Sequence, residues 1–539
     1  MTTSTDTPPP PERRWVHRLP VKLRQHWRPL ALFVALLVVT TGVFGSSRVV
    51  PYVTGDDRYA PPVVTQDIAG TRDLFDASVA HEIRLTFSDE DYERILQEWY
   101  DEGEKAYLAA ELVVDGVRID SVGVRLKGNS TLMSLRDPNA DPTEQRGPGA
   151  VPFRGGRPPE GAAPPPDAGG GGFRGPGGIA LSAEEPEHLP WLISFDEFVE
   201  GRRYQGRSEI AVRPASASST VALNEAVALS LVNESGQVGQ QFAYARFVVN
   251  DRPATTRLVI EHPDEAWTER FGATGVLYKS RASSSFTDQG DDPTEYRDDF
   301  EQINRVGSQD LQPVINLIKW VASASDEEFT AELGEHVDIE SLARYLATQN
   351  LLLNVDDMSG PGRNYYLWYD LDRRTFEVVT WDLNLAFSGN ATAGPNDAID
   401  PGGVRGPGGT GAPPQAGGVP PAGAAPGGRF PGEPRGGGPR TGAQPGGRGP
   451  MMMSHPLKER FLANARFKAA YEQAYEELYQ QLYAGGAAIA ALDRATAAAL
   501  AVADPTHLAA IQQESDALRR LLEQRAAALA VDPLLSAAS

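Results

Sequence analysis

Apolar and polar residues alternate along HEIRLTFS from His81, the period of a half-buried strand, and that period returns repeatedly over the next two hundred or so positions. Ala109 to Leu126 reads as a hairpin turning at Asp115-Gly116, a dipeptide that tolerates the positive φ of a tight turn. Leu189 to Phe198 and Ser208 to Val212 read as strands joined near Gly201, and Phe242 to Val249 pairs with Thr256 to Ile260 around Asn250-Asp251. Helical spacing is scarcer here. Ser88 followed by Asp89, Glu90 and Asp91 predicts a capped helix to about Tyr100, and Ser219 to Asn233 predicts another with Ser219 as N-cap and Gly236 as its stop.

Later the period changes to that of helices. Asp310 to Ser323, Asp326 to Glu335 and Asp338 to Leu353 are predicted helices, the last turning Leu342, Tyr345, Leu346, Leu351 and Leu352 towards a core. Two aromatic or β-branched strands interrupt them, Asn364 to Tyr369 and Thr375 to Thr380, separated by the polar turn Asp370 to Arg374. From Ser454 aromatic and leucine residues recur at helical spacing, and Ala487 to Ala503 and Pro505 to Ala530 continue as Ala-rich helices. Strands first and helices afterwards predict an α+β fold, sheet-rich to about residue 270 and mostly helical beyond.

Composition divides this pattern into parts. The 539 residues include 54 Gly and 43 Pro, concentrated in two tracts, 137–185 and 389–453, which cannot bury enough apolar surface to fold and are expected to be disordered. What remains is one large domain over 80–388, carrying the first tract as an insert, with C-terminal helices at 454–535 packed on it. A formal charge of -22 argues against nucleic acid as a partner, since phosphate backbones need Lys and Arg stripes. Cysteine is absent, which excludes disulfides, thiolate metal sites and a Cys nucleophile.

The N-terminus alters the expected location. Residues 1–28 are basic and 29–46 carry no charge before Arg48, which predicts a cytoplasmic tail, a short transmembrane helix and a linker over 47–79, with the main domain outside. A cleaved signal peptide is the competing reading of that apolar stretch.

Candidate chemistry is concentrated in NVDDMSGPGRNYYLWYDLDRRTFEVVTWDLNLAF, Asn354 to Phe387. A hairpin folds its two ends together, so Asp356, Asn364 and Asp382 can face one spot and offer oxygen ligands to a hard cation such as Mg2+. Lys127-Gly128-Asn129-Ser130-Thr131 leaves a predicted strand and can offer an ammonium and backbone N–H groups to phosphate, or form a surface turn.

The words RLKGNS at Arg125, GVLYK at Gly275, NVDD at Asn354, NYY at Asn364 and WDLN at Trp381 resemble, in order, those of the CotH family of secreted atypical protein kinases. HPLKERFLAN from His455 resembles its C-terminal region, so that the likeness runs discontinuously from about residue 80 to 485. The resemblance implies a bilobal kinase-like fold that uses ATP with Mg2+, or Mn2+ or Ca2+. It places Asp356 as the catalytic acid-base group, and Asp382 and Asn364 as metal ligands. Lys127, or alternatively Lys279, would steady the phosphates beside Asn129; Glu225 would pair with that lysine, and Glu261 would lie at a nucleotide-holding hinge. Solvated positions are the plain alternative for both glutamates. Two departures stand out. Asn364 follows Asp356 by eight residues where ordinary kinases have five, which makes Asp357 a rival catalytic residue, and Glu187-His188-Leu189-Pro190 lacks a lysine common in the family.

The activity so implied is transfer of the ATP γ-phosphoryl group to Ser or Thr of exported or cell-surface proteins by a membrane-anchored enzyme. A non-catalytic surface-binding or adhesin-like protein that keeps the fold is the alternative, and a metal-dependent hydrolase a third, without a His cluster to recommend it.

Overall fold

Seven strands close on themselves in the first half of the molecule. In chain order this half contains β1 (Gln66–Ile68), β2 (His81–Thr86), α1 (Asp89–Glu102), β3 (Leu108–Val114), β4 (Val117–Leu126), β5 (Trp191–Ser194), β6 (Arg202–Tyr204), β7 (Glu209–Val212), α2 (Leu223–Glu234), β8 (Phe242–Val249) and β9 (Thr255–Glu261). The barrel order is β2-β3-β4-β5-β7-β9-β8, closed by a parallel β8–β2 pair, while β1 and β6 form a separate parallel pair. The computed structural model describes residues 61–128, 131–135, 181–215, 219–399 and 454–536, with a few positions between 28 and 36. Most of the expected membrane segment, most of the two Gly/Pro tracts, and Asn129 lie outside the described residues.

Side-chain alternation builds the barrel. Ile83, Leu85, Leu112, Val114, Val122, Val124, Ile193 and Ile210 all point into one buried cluster, and their polar neighbours point out. The β3–β4 turn has φ 49 at Asp115 and 84 at Gly116, the double positive φ that a two-residue hairpin needs. Strands β8 and β9 are buried on both faces. Ala243, Ala245 and Phe247 fill the barrel, whereas Tyr244, Leu258 and Ile260 face a second core with α2, which explains their nearly continuous apolar sequence.

That second core holds the rest of the chain. A four-stranded sheet in the order β11-β10-β12-β13 is made from β10 (Gly275–Ser280), β11 (Phe300–Gln302), β12 (Tyr365–Asp370) and β13 (Phe376–Thr380). The helices α3 (Gln312–Ser323), α4 (Asp326–His336) and α5 (Ile339–Leu351) precede the β12–β13 hairpin, and α6 (Pro456–Ala463), α7 (Ala465–Tyr479), α8 (Ala487–Val502), α9 (Leu508–Ala530) and α10 (Pro533–Ser536) end the chain. The fold is mixed α+β. Among the described residues no single helix is long and apolar enough to cross a membrane; the bent pair Ala465–Ala484 and Ala487–Val502 has the composition, yet Phe467, Tyr475, Leu478, Leu482 and Leu492 are buried in the core.

The C-terminal helices fix the end of α5, from which Asp356 hangs. The last carbonyls of a helix lack partners within it. Here Tyr483 donates to the Leu351 carbonyl at 2.8 Å, and the fully buried Arg525 donates to the Asn350 carbonyl at 3.1 Å, an arrangement that also places positive charge at the helix C-terminus. Arg525 reaches the Ala393 carbonyl as well, tying the strand exit to the same point.

Several boundaries differ from the sequence reading. The helix expected from Ser219 begins at Leu223, because Ala222 takes the N-cap position with φ 52 while the Ser219 hydroxyl accepts from the Leu223 amide at 2.7 Å. The strand expected from Leu189 is only Trp191–Ser194. The linker expected over 47–79 contains β1 and the buried Leu74 and Phe75. Residues 389–399, expected to be disordered, pack against α5, α7 and α9 through Ala391, Ala393 and the Pro395 carbonyl, which accepts from Tyr471. The helical run after Ser454 breaks at Asn464, whose side chain accepts from the Arg466 amide at 3.0 Å and starts a new helix.

Replacing Arg525 by Met should lower stability by about 3 kcal/mol or more, since several buried carbonyls lose their donor together. Urea unfolding checks this, with Arg525→Lys expected to recover only part of the loss because an ammonium cannot copy the guanidinium fork.

Candidate active site

The β12–β13 register decides where the acids meet. Tyr365 lies opposite Thr380, so Asn364 and Trp381 leave the hairpin side by side, with Asp382 next. Asn364 donates from Nδ2 to Asp356 Oδ2 at 2.9 Å, and the Gly362 amide donates to Asp356 Oδ1. Asp356 is held on both oxygens. Its carboxylate fits only because positions 360 and 362 have no side chain: a Cβ at either would collide with Asp356. Tyr345 on α5 fixes the loop from below by donating to the Asn364 carbonyl at 3.2 Å while its hydroxyl accepts from the Met358 amide at 2.9 Å.

Asp356 is 7% exposed. Burial pushes its carboxyl up to about 7; the Gly362 amide opposes that rise, and the charges of Asp382 and Asp357 add to it. The loop thus places Asp382 within electrostatic reach of Asp356. Asp382 itself has φ 50, unusual for a residue with a side chain, and its carboxylate is 25% exposed. Asp357 turns the other way, accepting from the Ser359 amide at 2.7 Å and pairing with Lys458 on α6.

Cations approach from the barrel side. Residues Leu277 and Lys279 of β10, Tyr366 and Trp368 of β12, and Val379 and Trp381 around β13 share one face of the sheet, as the two-residue period requires. Lys279 Nζ lies 5.5 Å from the centre of the Trp381 ring. Lys127 Nζ, delivered from the end of β4, lies 5.5 Å from the same ring. Both ammoniums are held below their ordinary pKa, Lys127 well below it, first by burial and then by nearby cations, among them Lys279 and Arg213 for Lys127, and Arg281 and Arg125 for Lys279. Asp382 pulls both back up. Such crowding of cations suits a polyanion.

Glu225 and Glu261 have different surroundings from those expected. Glu225 is 1% exposed, not solvated, and the cation that bonds it is Arg213, whose Nε donates to Glu225 Oε2 at 2.6 Å. Arg213 Nη2 also bonds Asp382 Oδ1. Burial would depress Arg213, but the two carboxylates outweigh it and hold the guanidinium above its ordinary pKa. Glu261 is likewise buried: its carboxylate takes Arg207 at 2.9 Å, Arg270, and the Gln241 amide at 2.8 Å. Its own amide goes to the Gln241 carbonyl and its carbonyl accepts from Gln240, so both main-chain groups are already engaged within the protein.

Asp356, Asp382, Asn364, Lys127 and Lys279 therefore converge, and Glu225 joins them through Arg213, while Asp357 is turned towards Lys458. Arg213 was missed because it stands in no recognisable word, and Lys458 because the word that holds it, HPLKERFLAN, lies about a hundred positions from Asp357 and was assigned to packing helices. Arg213 is 169 positions from Asp382, and only the barrel's closure onto α2 brings them together.

The model of the CotH kinase protein family matches residues 173–529. The chain belongs to the CotH kinase family. No curated protein matches the chain. The CotH match includes Glu225, Glu261, Lys279 and the whole Asn354 to Phe387 stretch, and extends through α9 beyond the likeness read from the sequence. Lys127 precedes it; what links Lys127 to the CotH segment is its place on the Trp381 ring.

A hard divalent cation fits these donors. Two carboxylates that repel one another and an amide whose Nδ2 is already given to Asp356, leaving Oδ1, are oxygen ligands of the kind Mg2+ takes alongside phosphate oxygens. Among the described residues no three His, Cys, Asp or Glu side chains gather into a metal cluster, so a cation held here would need that amide and oxygens from outside the protein as well.

Asp356→Asn should stabilise the metal-free protein at high pH. The folded carboxyl titrates near 7 against 3.8 when unperturbed, so its favourable contribution is complete below about pH 4 and is lost as pH rises through 7. Measured in EDTA, the variant should gain on the parent by up to about 4 kcal/mol at pH 8 and by little at pH 4.

Proposed function

We propose that the chain transfers the γ-phosphoryl group of ATP to Ser or Thr hydroxyls of exported or cell-surface proteins. Its barrel and helical cores act as the two lobes of a kinase-like fold, and the apolar segment near the N-terminus holds it to the outer face of a membrane. The observation that carries this reading is the doubly held Asp356 within reach of Asp382, whose charge in turn acts on two lysines set against one tryptophan.

Each residue then has a task. Lys127 and Lys279 hold phosphate oxygens, where a desolvated ammonium interacts far more strongly than it would in water. Asp382 and Asn364 would hold Mg2+, which when bound neutralises phosphate charge. Asp356, pinned by Gly362 and Asn364, accepts the proton of the acceptor hydroxyl as its oxygen bonds to the γ-phosphorus. The bond from phosphorus to the bridging oxygen breaks, and its electron pair leaves on ADP. A base that titrates near 7 is matched to proton transfer at neutral pH. Asp357 is less suited to that task, because Lys458 already occupies it.

The test uses the full chain in detergent with γ-labelled ATP, Mg2+ or Mn2+, and casein as a general acceptor. Label transfer is expected, lost in EDTA and reduced by about a hundredfold or more in Asp356→Ala and in Asp382→Ala. Transfer that survives Asp382→Ala would contradict the metal assignment. A parent protein whose melting temperature is unmoved by ATP with Mg2+ would favour the surface-binding alternative, since a ligand of the native state must stabilise it.

A further inference from the structure

Arg213 bridges two carboxylates with different surroundings. Nε donates to Glu225 Oε2 at 2.6 Å deep in the core, and Nη2 bonds Asp382 Oδ1 at the edge of the site. The main chain at Arg213 is fixed: its amide donates to the Leu258 carbonyl at 2.9 Å, and its carbonyl accepts from Arg257 Nε at 2.7 Å. Only the guanidinium is left to move. Glu225 Oε1, meanwhile, is buried without a hydrogen-bond partner.

A buried acceptor without a donor is costly, and most such atoms in folded proteins are satisfied. Nε and Nη2 lie on the same edge of a guanidinium, the edge that grips both oxygens of one carboxylate. A turn of the guanidinium that leaves Nε on Oε2 and carries Nη2 from Asp382 to Oε1 satisfies the orphaned oxygen and frees Asp382. A divalent cation arriving at Asp382 repels the guanidinium in that direction.

We propose that Arg213 is an exchangeable internal counter-ion: it holds Asp382 while no divalent cation is bound, and withdraws to grip both oxygens of Glu225 when the cation takes Asp382. This rests on Asp382 being a metal ligand. Arg213 is then a positioning residue, and its exchange tells α2 that the site is loaded. The coupling runs both ways: the factor by which the Arg213–Asp382 pair weakens cation binding is the factor by which the bound cation weakens the pair.

The experiment titrates Mn2+ into the full chain without nucleotide and follows free Mn2+ by its spin resonance signal. Glu225→Gln removes the second carboxylate charge, so Arg213 stays on Asp382 and Mn2+ should bind more weakly than in the parent. Arg213→Gln combined with Glu225→Gln removes the competitor without burying an unpaired charge, and should bind Mn2+ roughly 5- to 150-fold tighter than Glu225→Gln alone and at least as tightly as the parent. Equal affinity in all three, or weakest binding in the double variant, overturns the exchange. Asp382→Asn separates the two ideas: parent-like Mn2+ binding in that variant would instead overturn the assignment of Asp382 as a ligand.

Discussion

Bringing Asp356 and Asp382 together at the open end of one hairpin is the constraint around which the site is arranged. Burial raises the carboxyl of Asp356, and the charge of Asp382 adds to that rise. Antiparallel pairing of Tyr365 with Thr380 leaves the chain no other course, since it brings both acids to the open end of one hairpin. Asp357 and Glu225 add to the negative charge nearby, and it is offset by the Gly362 amide, the Asn364 amide, Arg213, and the two lysines against Trp381.

The two cores meet at this charge cluster. β8 and β9 give one face to the barrel and the other to α2, so the strand that ends at Val212 and the helix that begins at Leu223 are fixed relative to each other. Arg213, just beyond that strand, can then reach Glu225 and Asp382 together. On the far side α5 is capped by residues from the last helices, and the loop bearing Asp356 follows directly. The C-terminal helices thus hold the loop that bears Asp356, and α6 also supplies Lys458 to Asp357.

Much of this was legible in order of locality. The β3–β4 turn at Asp115-Gly116, the Ser88 cap and the β12–β13 hairpin all depend on neighbours a few positions apart, and each lies where the sequence puts it. The hairpin also made the meeting of Asp356, Asn364 and Asp382 readable. Partners chosen by tertiary closure were not. Nothing adjacent to Glu225 or Glu261 announces Arg213, Arg207 or Arg270, so burial and pairing replaced the solvent contact that was the plain alternative for both. Residues 389–399 were misread because Gly and Pro suggest disorder, whereas Arg525, far along the chain, supplies the donor that holds their carbonyls.

The central claim is that one cation touches both ends of the hairpin. Replacing Mg2+ by Fe2+ and adding ascorbate and peroxide generates hydroxyl radicals at the bound ion, which cut the chain nearby. ATP-dependent cuts are expected in two separate stretches, 354–364 and 381–384, both suppressed by excess Mg2+. Cuts in only one of them, or at positions remote from both, would contradict it.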